Sequence, residues 1–87
     1  MAEQDINIGA IFGEVLRKAR EKARISQEEL AFRAGIDRTF ISRLERGVRQ
    51  PTLTTLIGIG AALDTSPAEL VEQVEQKLLE KSGGESL

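Results

Sequence analysis

Hydroxyl and guanidinium side chains share one face of a short helix predicted in the middle of the chain. These side chains stand at five positions: a first one, i, and then i+1, i+4, i+5 and i+8. Positions with this spacing lie on one side of an α-helix. Guanidinium and hydroxyl groups hydrogen-bond to phosphate oxygens and base edges, and a single helix fits the major groove of DNA. The types and spacing therefore predict a surface that recognises a nucleic acid. Its residues are Arg38, Thr39, Ser42, Arg43 and Arg46, with no acidic residue among them.

Other chemistries have few residues available. The chain contains no His and no Cys, so it lacks the commonest general base, a thiol nucleophile and the usual zinc ligands. No set of Ser, Lys and carboxylate residues stands out from helix-capping and surface roles. We therefore predict no catalytic residue, no metal and no cofactor, and we predict that the protein is not an enzyme.

Length and hydropathy predict one small domain without membrane contact. The chain has 87 residues, which fits a single core. Its apolar runs are a few residues long, far below the roughly 20 that span a bilayer. No basic segment precedes an apolar stretch as in a signal peptide. The expected location is the cytoplasm.

The net charge hides a strong asymmetry along the chain. The total is −2, which argues against a polyanionic partner. Residues 17–50, however, carry ten bases and five acids, a local charge of +5, between acidic segments at 1–16 and 51–87. A basic segment of this kind is typical of nucleic-acid binding. The alternative is a solvated helix face with incidental arginines.

Apolar residues at helical spacing predict an all-α fold of five helices, at about 8–24, 27–34, 38–46, 53–63 and 67–80. Asn7, Ser26, Asp37, Thr52 and Ser66 are the expected N-caps, with Ser26 and Glu29 forming a capping box. The domain is predicted over 8–80. Residues 1–7 and 81–87 are predicted to be flexible ends.

The second and third helices are joined by only three residues, Gly35, Ile36 and Asp37. So short a link forces a steep crossing, which is the geometry of a helix-turn-helix, here over residues 27–46. Gly35 permits the positive φ that the turn needs. The Ile36 side chain is expected to pack against the core and so to anchor the turn.

The stretch 26–51 resembles the Cro/repressor-type helix-turn-helix family, often called the XRE family. Segment 36–42 is similar to the turn and recognition helix of restriction–modification controller proteins. The matching positions are Gln27, Glu29, Leu30, Ala31, Ala34, Gly35, Ile36, Ile41, Ser42, Leu44, Glu45, Gly47 and Pro51.

The resemblance implies a role for each residue of the polar surface. Phe40 is assigned to the phosphate contacts, with core packing as the favoured alternative. Ser26 is assigned to a phosphate contact, with a role as helix cap alone as the alternative. Base contacts fall on Arg38, Thr39, Ser42 and Arg43, and the remaining phosphate contacts on Gln27, Arg46 and Arg49.

Two further assignments concern architecture. The family pattern implies a partly buried ion pair between Arg20 and Glu45 that ties the first helix to the third. Members of the family usually act as dimers. The apolar stripe of the fifth helix is predicted to form a homodimer interface, to which the end of the fourth helix can add, with packing on its own core as the alternative. That stripe consists of Leu70, Val74 and Leu78.

Taken together, these features predict a sequence-specific transcriptional regulator. It would bind a palindromic operator in double-stranded DNA as a homodimer, with a recognition helix in each major groove and no small-molecule ligand. The alternative is a protein-interaction module of the same fold, an antitoxin or an adaptor, with DNA binding secondary.

Overall fold

Five α-helices build the part of the chain that the structure describes, residues 7–81 of a computed structural model. No strand occurs within that range, so the predicted all-α fold is confirmed. Apart from Asn7 and Lys81, the predicted flexible ends lie outside the described residues. The helices are α1 (Ile8–Lys22), α2 (Gln27–Ala34), α3 (Arg38–Glu45), α4 (Leu53–Leu63) and α5 (Pro67–Lys81).

Side-chain caps begin the helices where the sequence predicted them. Asn7, Ser26, Thr52 and Ser66 each accept a backbone N–H two or three residues on, at 2.9 to 3.1 Å. The capping box is only half formed. Ser26 Oγ accepts the Glu29 N–H, but the Glu29 carboxylate pairs with Arg33 Nε at 2.7 Å instead of reaching back.

The first helix ends at Lys22, two residues before the predicted end. The chain reverses through Arg24, whose φ of 62° is left-handed, and the Arg24 N–H donates to Glu21 O at 3.0 Å. A left-handed residue closes a helix by satisfying its last carbonyls, and glycine adopts that conformation at least cost. The apolar periodicity continues past this point, which is why it overestimated the helix.

One core joins all five helices. α1 packs against both α3 and α5, while α2 packs against α3 and α4, and α4 also contacts α5. The side chains with almost no exposed surface come from every helix. They are Val15, Leu16, Leu30, Ile41, Leu44, Ile59 and Leu70.

The α1 backbone crosses the end of α3 at very short range. A Cβ added to Gly13 would lie 2.5 Å from Glu45 O and 2.6 Å from Leu44 O. One turn earlier, a Cβ on Gly9 would lie 3.0 Å from Gly47 O. Only a glycine can stand at residue 13 without displacing backbone. This crossing fixes the C-terminal end of α3 against the rest of the fold.

None of the helices described between residues 7 and 81 is long and apolar enough to cross a membrane.

Candidate DNA-binding surface

The turn between α2 and α3 has the predicted form. Gly35 adopts a φ of 68°, and the Ile36 N–H donates to Ala31 O at 2.9 Å, which closes α2. Asp37 Oδ1 then accepts the Thr39 N–H at 2.9 Å. α3 therefore starts immediately after the turn, with Arg38 in its first turn.

The polar face of α3 lies outward along the whole helix. Ile41 and Leu44 are completely buried on the opposite face. Of the predicted contacts, Arg38, Thr39, Arg43 and Arg46 are exposed, whereas Ser42 is half-buried. Arg46 Nε donates to Ser42 Oγ at 3.3 Å, so this arginine lies back along the helix. The hydroxyl hydrogen of Ser42 is still available to donate.

Phe40 is half-buried and packs against the core. Its ring carries no hydrogen-bond donor, so it cannot bind a phosphate oxygen through its side chain. This position agrees with the favoured alternative, in which Phe40 packs in the core. The assignment of Phe40 to the phosphate contacts stays a prediction, and its ring could make only a van der Waals contact there.

The N-terminus of α2 presents two residues expected to bind phosphate. Ser26 is exposed, and its Oγ is occupied as the cap acceptor for the Glu29 N–H. Gln27 is half-buried, and its Nε2 donates to Glu45 Oε1 at 3.0 Å. A helix N-terminus favours an anion because its first N–H groups have no partner within the helix.

Arg20 and Glu45 form the ion pair expected from the family pattern. Arg20 Nε lies 2.6 Å from Glu45 Oε2, and Arg20 Nη2 donates to Oε1 at 3.1 Å. Only 13% of the arginine side chain and 4% of the glutamate side chain are exposed. The hydrogen bonds to Glu45 raise the pKa of the Arg20 guanidinium above its usual range. The Arg20 guanidinium therefore stays charged at any ordinary pH.

The segment after α3 carries the last predicted phosphate contact. Val48 and Arg49 both donate their N–H groups to Arg43 O, at 3.0 and 3.3 Å. Gly47 has a φ of 78°, and a Cβ there would lie 2.8 Å from Ala10 Cα. This anchored turn leaves Arg49 exposed beyond the end of the polar face.

The predicted interface on α5 needs correction. Leu70 is 1% exposed and Val74 8%, and both lie in the core of the single chain, with Leu78 packed against it. Leu70 and Val74 are covered within the chain, where α5 packs on α1 and α4, so they are not free to bind a second molecule. Leu78 is half-buried. The alternative, packing of α5 on its own core, is what the structure shows.

α4 exposes more apolar surface than α5, on which Val71 is 48% and Leu79 41% exposed. Leu53 is 76% exposed and Ile57 59%, and Ala61 is exposed one turn further on. Residues four apart lie on the same side of a helix, so the three form a stripe, which we call the α4 stripe. Sequence reasoning included these residues in the helix without seeing that they face outward. The one available signal was that α4 contains no charged residue.

Residues 16–70, more than half of the chain, match the family described as Helix-turn-helix, and the chain belongs to that family. The relatives below are named as control or controller proteins. The chain is 40% identical over 67 residues to Control protein C.BamHI from Bacillus amyloliquefaciens, across 76% of this chain and 83% of that protein.

Two solved structures extend the comparison. The restriction-modification controller protein C.AhdI from Aeromonas hydrophila has a TM-score of 0.70 at 40% identity, covering 71% of this chain and 94% of that one. The controller C.Esp1396I, crystallised as a tetramer with its natural 35 base-pair operator, has a TM-score of 0.74 at 30% identity, covering 83% and 95%. The resemblances expected from residues 26–51 and 36–42 are thus confirmed.

Proposed function

We propose that this protein is a sequence-specific regulator of transcription that binds a near-palindromic operator as a homodimer. The observation that carries the proposal is the outward face of α3, where exposed Arg38, Thr39 and Arg43 stand without an acid among them. Arginine reads guanine through two hydrogen bonds to O6 and N7, and threonine can meet a thymine methyl group. These residues, with Ser42, make the base contacts.

Two sets of phosphate contacts lie near the C-terminal end of that face. The first is the N-terminus of α2, which offers unpaired N–H groups and the Gln27 amide, with the Ser26 hydroxyl beside them. The hydrogen bond from Gln27 to Glu45 brings this N-terminus to the end of α3. The second set is Arg46 and Arg49, which are exposed at and after the end of α3. Phosphate contacts of this kind help to fix the register of a recognition helix in the groove.

The second copy docks through the α4 stripe. Leu53, Ile57 and Ala61 expose apolar surface on a helix that offers no charge to repel an identical helix. A two-fold axis places the same patch on both subunits, so an interface of this kind must be complementary to itself, and an uncharged apolar stripe meets that condition. Two recognition helices would then enter successive major grooves about 34 Å apart. The relative C.Esp1396I, crystallised as a tetramer on its operator, supports assembly on DNA.

The decisive experiment is selection of bound sites from a random DNA pool at several protein concentrations. We expect one sequence with two-fold symmetry and binding that rises with the square of the protein concentration. If each subunit neutralises roughly four phosphates, log K against log salt should have a slope near −7.

Three results would contradict the proposal. They are a selected pool without any common sequence, a salt slope near zero, and purification in a fixed ratio with a different protein bound at the α4 stripe. The last of these would favour the interaction-module alternative, in which DNA binding is secondary.

A further inference from the structure

Three elements of the fold meet at the carboxylate of Glu45, the last residue of α3. Its Oε2 accepts from Arg20 Nε, and its Oε1 accepts from both Arg20 Nη2 and Gln27 Nε2. Arg20 also donates to Ile25 O at 2.8 Å, in the turn before α2. The end of α1, the start of α2 and the end of α3 are therefore joined through one buried carboxylate.

From this geometry we infer that Glu45 is a positioning residue for DNA binding: it holds the Gln27 amide ready for a phosphate. The inference rests on the proposed function. It gives the Arg20–Glu45 pair a second role beyond tying α1 to α3.

The chemistry of the acceptor fixes the orientation of the amide. An ionised carboxylate can only accept hydrogen bonds, so the NH₂ end of Gln27 must face Glu45. The second N–H of that NH₂ group is left for another acceptor. A glutamine side chain loses rotamer freedom when it is fixed. Because Glu45 holds Gln27 before DNA arrives, that loss does not count against binding.

Charge explains why the pair must be intact. A carboxylate beside a phosphate site would repel the phosphate. Arg20 neutralises Glu45 through two hydrogen bonds, so the carboxylate can orient Gln27 without adding net negative charge to the site. Loss of Arg20 alone would leave a buried negative charge close to the α2 N-terminus.

A cycle of variants tests the inference without leaving a lone buried charge. Arg20→Met together with Glu45→Met removes both charges, a replacement that is often tolerated by buried pairs. Gln27→Ala is then made in the natural and in the Met-pair backgrounds. Binding to the selected operator is measured by fluorescence anisotropy, and folding by circular dichroism.

In the natural background, Gln27→Ala should weaken binding about tenfold, as expected for one hydrogen bond to a charged group. In the Met-pair background the same change should matter far less, because Gln27 is no longer held. Equal losses in both backgrounds would overturn the inference. The salt slope should be the same in all four proteins, since the pair carries no net charge. If the natural protein binds no operator at all, the proposed function fails, which is a different outcome.

Should the Met-pair proteins not fold, NMR relaxation of side-chain amides in the natural protein decides the question. The Gln27 amide should be rigid before DNA is added, while that of Gln76, exposed on α5, is mobile. A Gln27 amide as mobile as that of Gln76 would overturn the inference.

Discussion

The outward faces of α3 and α4 differ in what they present to water. The α3 face is made of cationic and hydroxyl groups, which water solvates well. α4 has no charged residue, and its outward stripe leaves Leu53 and Ile57 largely uncovered. Burying apolar surface is favourable by about 25 cal/mol per Å². The first face is therefore suited to an anionic partner, and the second to an apolar one.

The surfaces proposed for DNA binding and for dimerisation therefore occupy separate helices. Substitutions on one face should leave the intrinsic property of the other unchanged. Operator affinity should still depend on both, because two linked recognition helices bind far more tightly than one. Three measurements test this comparison and a fourth concerns neither face; they follow in order of decreasing effect.

The largest effect is expected from Ile57→Glu, which places a charge in the middle of the α4 stripe. The subunit should stay folded, since the side chain is mostly in solvent, but two such charges would face each other in the dimer. We expect a monomer in sedimentation equilibrium and at least about a hundredfold weaker operator binding. Gln76→Glu on the exposed side of α5 is the matched control. A variant that remains dimeric would place the interface elsewhere.

The next test compares how tightly α3 and α4 are packed on their inward sides. Gly13→Ala forces a methyl group onto backbone carbonyls of α3 and should cost about 3 kcal/mol of unfolding free energy. Gly58→Ala meets only Ala34 O at 3.7 Å and should stabilise α4 by up to about 1 kcal/mol. Urea unfolding of both variants gives the sign directly. Two losses of similar size would mean that α4 is packed as tightly as α3.

A third test separates contacts within the α3 face. Arg43→Ala should relax specificity at one base step, by roughly 1–3 kcal/mol. Arg49→Ala should weaken all sequences alike and reduce the salt slope by about 1 per site. Both variants are measured on operators with each base pair changed in turn, and both should remain dimers. Uniform loss from both would contradict the assignment of Arg43 to the bases.

The smallest effect is electrostatic and concerns neither face. Glu14 lies 3.3 Å from Lys18 Nζ and 3.9 Å from Lys77 Nζ. The hydrogen bond with Lys18 and the charge of Lys77 lower the pKa of Glu14 below its ordinary 4.5. A lowered pKa in the folded state stabilises the fold above that value and loses its effect as the pH falls through it.

Glu14→Gln should accordingly lower the melting temperature slightly at pH 7 and not at pH 3. Glu72→Gln, at an exposed acid on α5, is the control. Equal shifts at the two pH values would contradict the linkage.

Local signals in the sequence predicted the helices and the polar face well. The caps at Ser26 and Thr52 act within a single turn, so the neighbouring residues are enough to identify them. The face of α3 is clear because its apolar residues, Ile41 and Leu44, mark only one side. Because Ile41 and Leu44 mark the buried side, Arg43 was predicted to point outward, and it is exposed.

The interface could not be read in the same way. The stripe of Leu70 and Val74 shows that one side of α5 is buried, but a one-dimensional pattern does not say whether the cover is the same chain or another. α4 carries apolar residues on every side, so periodicity gives Ile57 and the completely buried Ile59 the same weight. Only the three-dimensional structure shows that Ile57 is exposed and Ile59 is buried.

Gly13 has a consequence for how this fold can evolve. In most packed contacts, a larger side chain on one element can be accommodated by a smaller one opposite. The atoms opposite Gly13 are the carbonyl oxygens of Leu44 and Glu45, which every amino acid carries. No substitution at either residue makes room for a side chain at position 13. Descendants of this chain should therefore keep this glycine whatever changes on the outward face of α3.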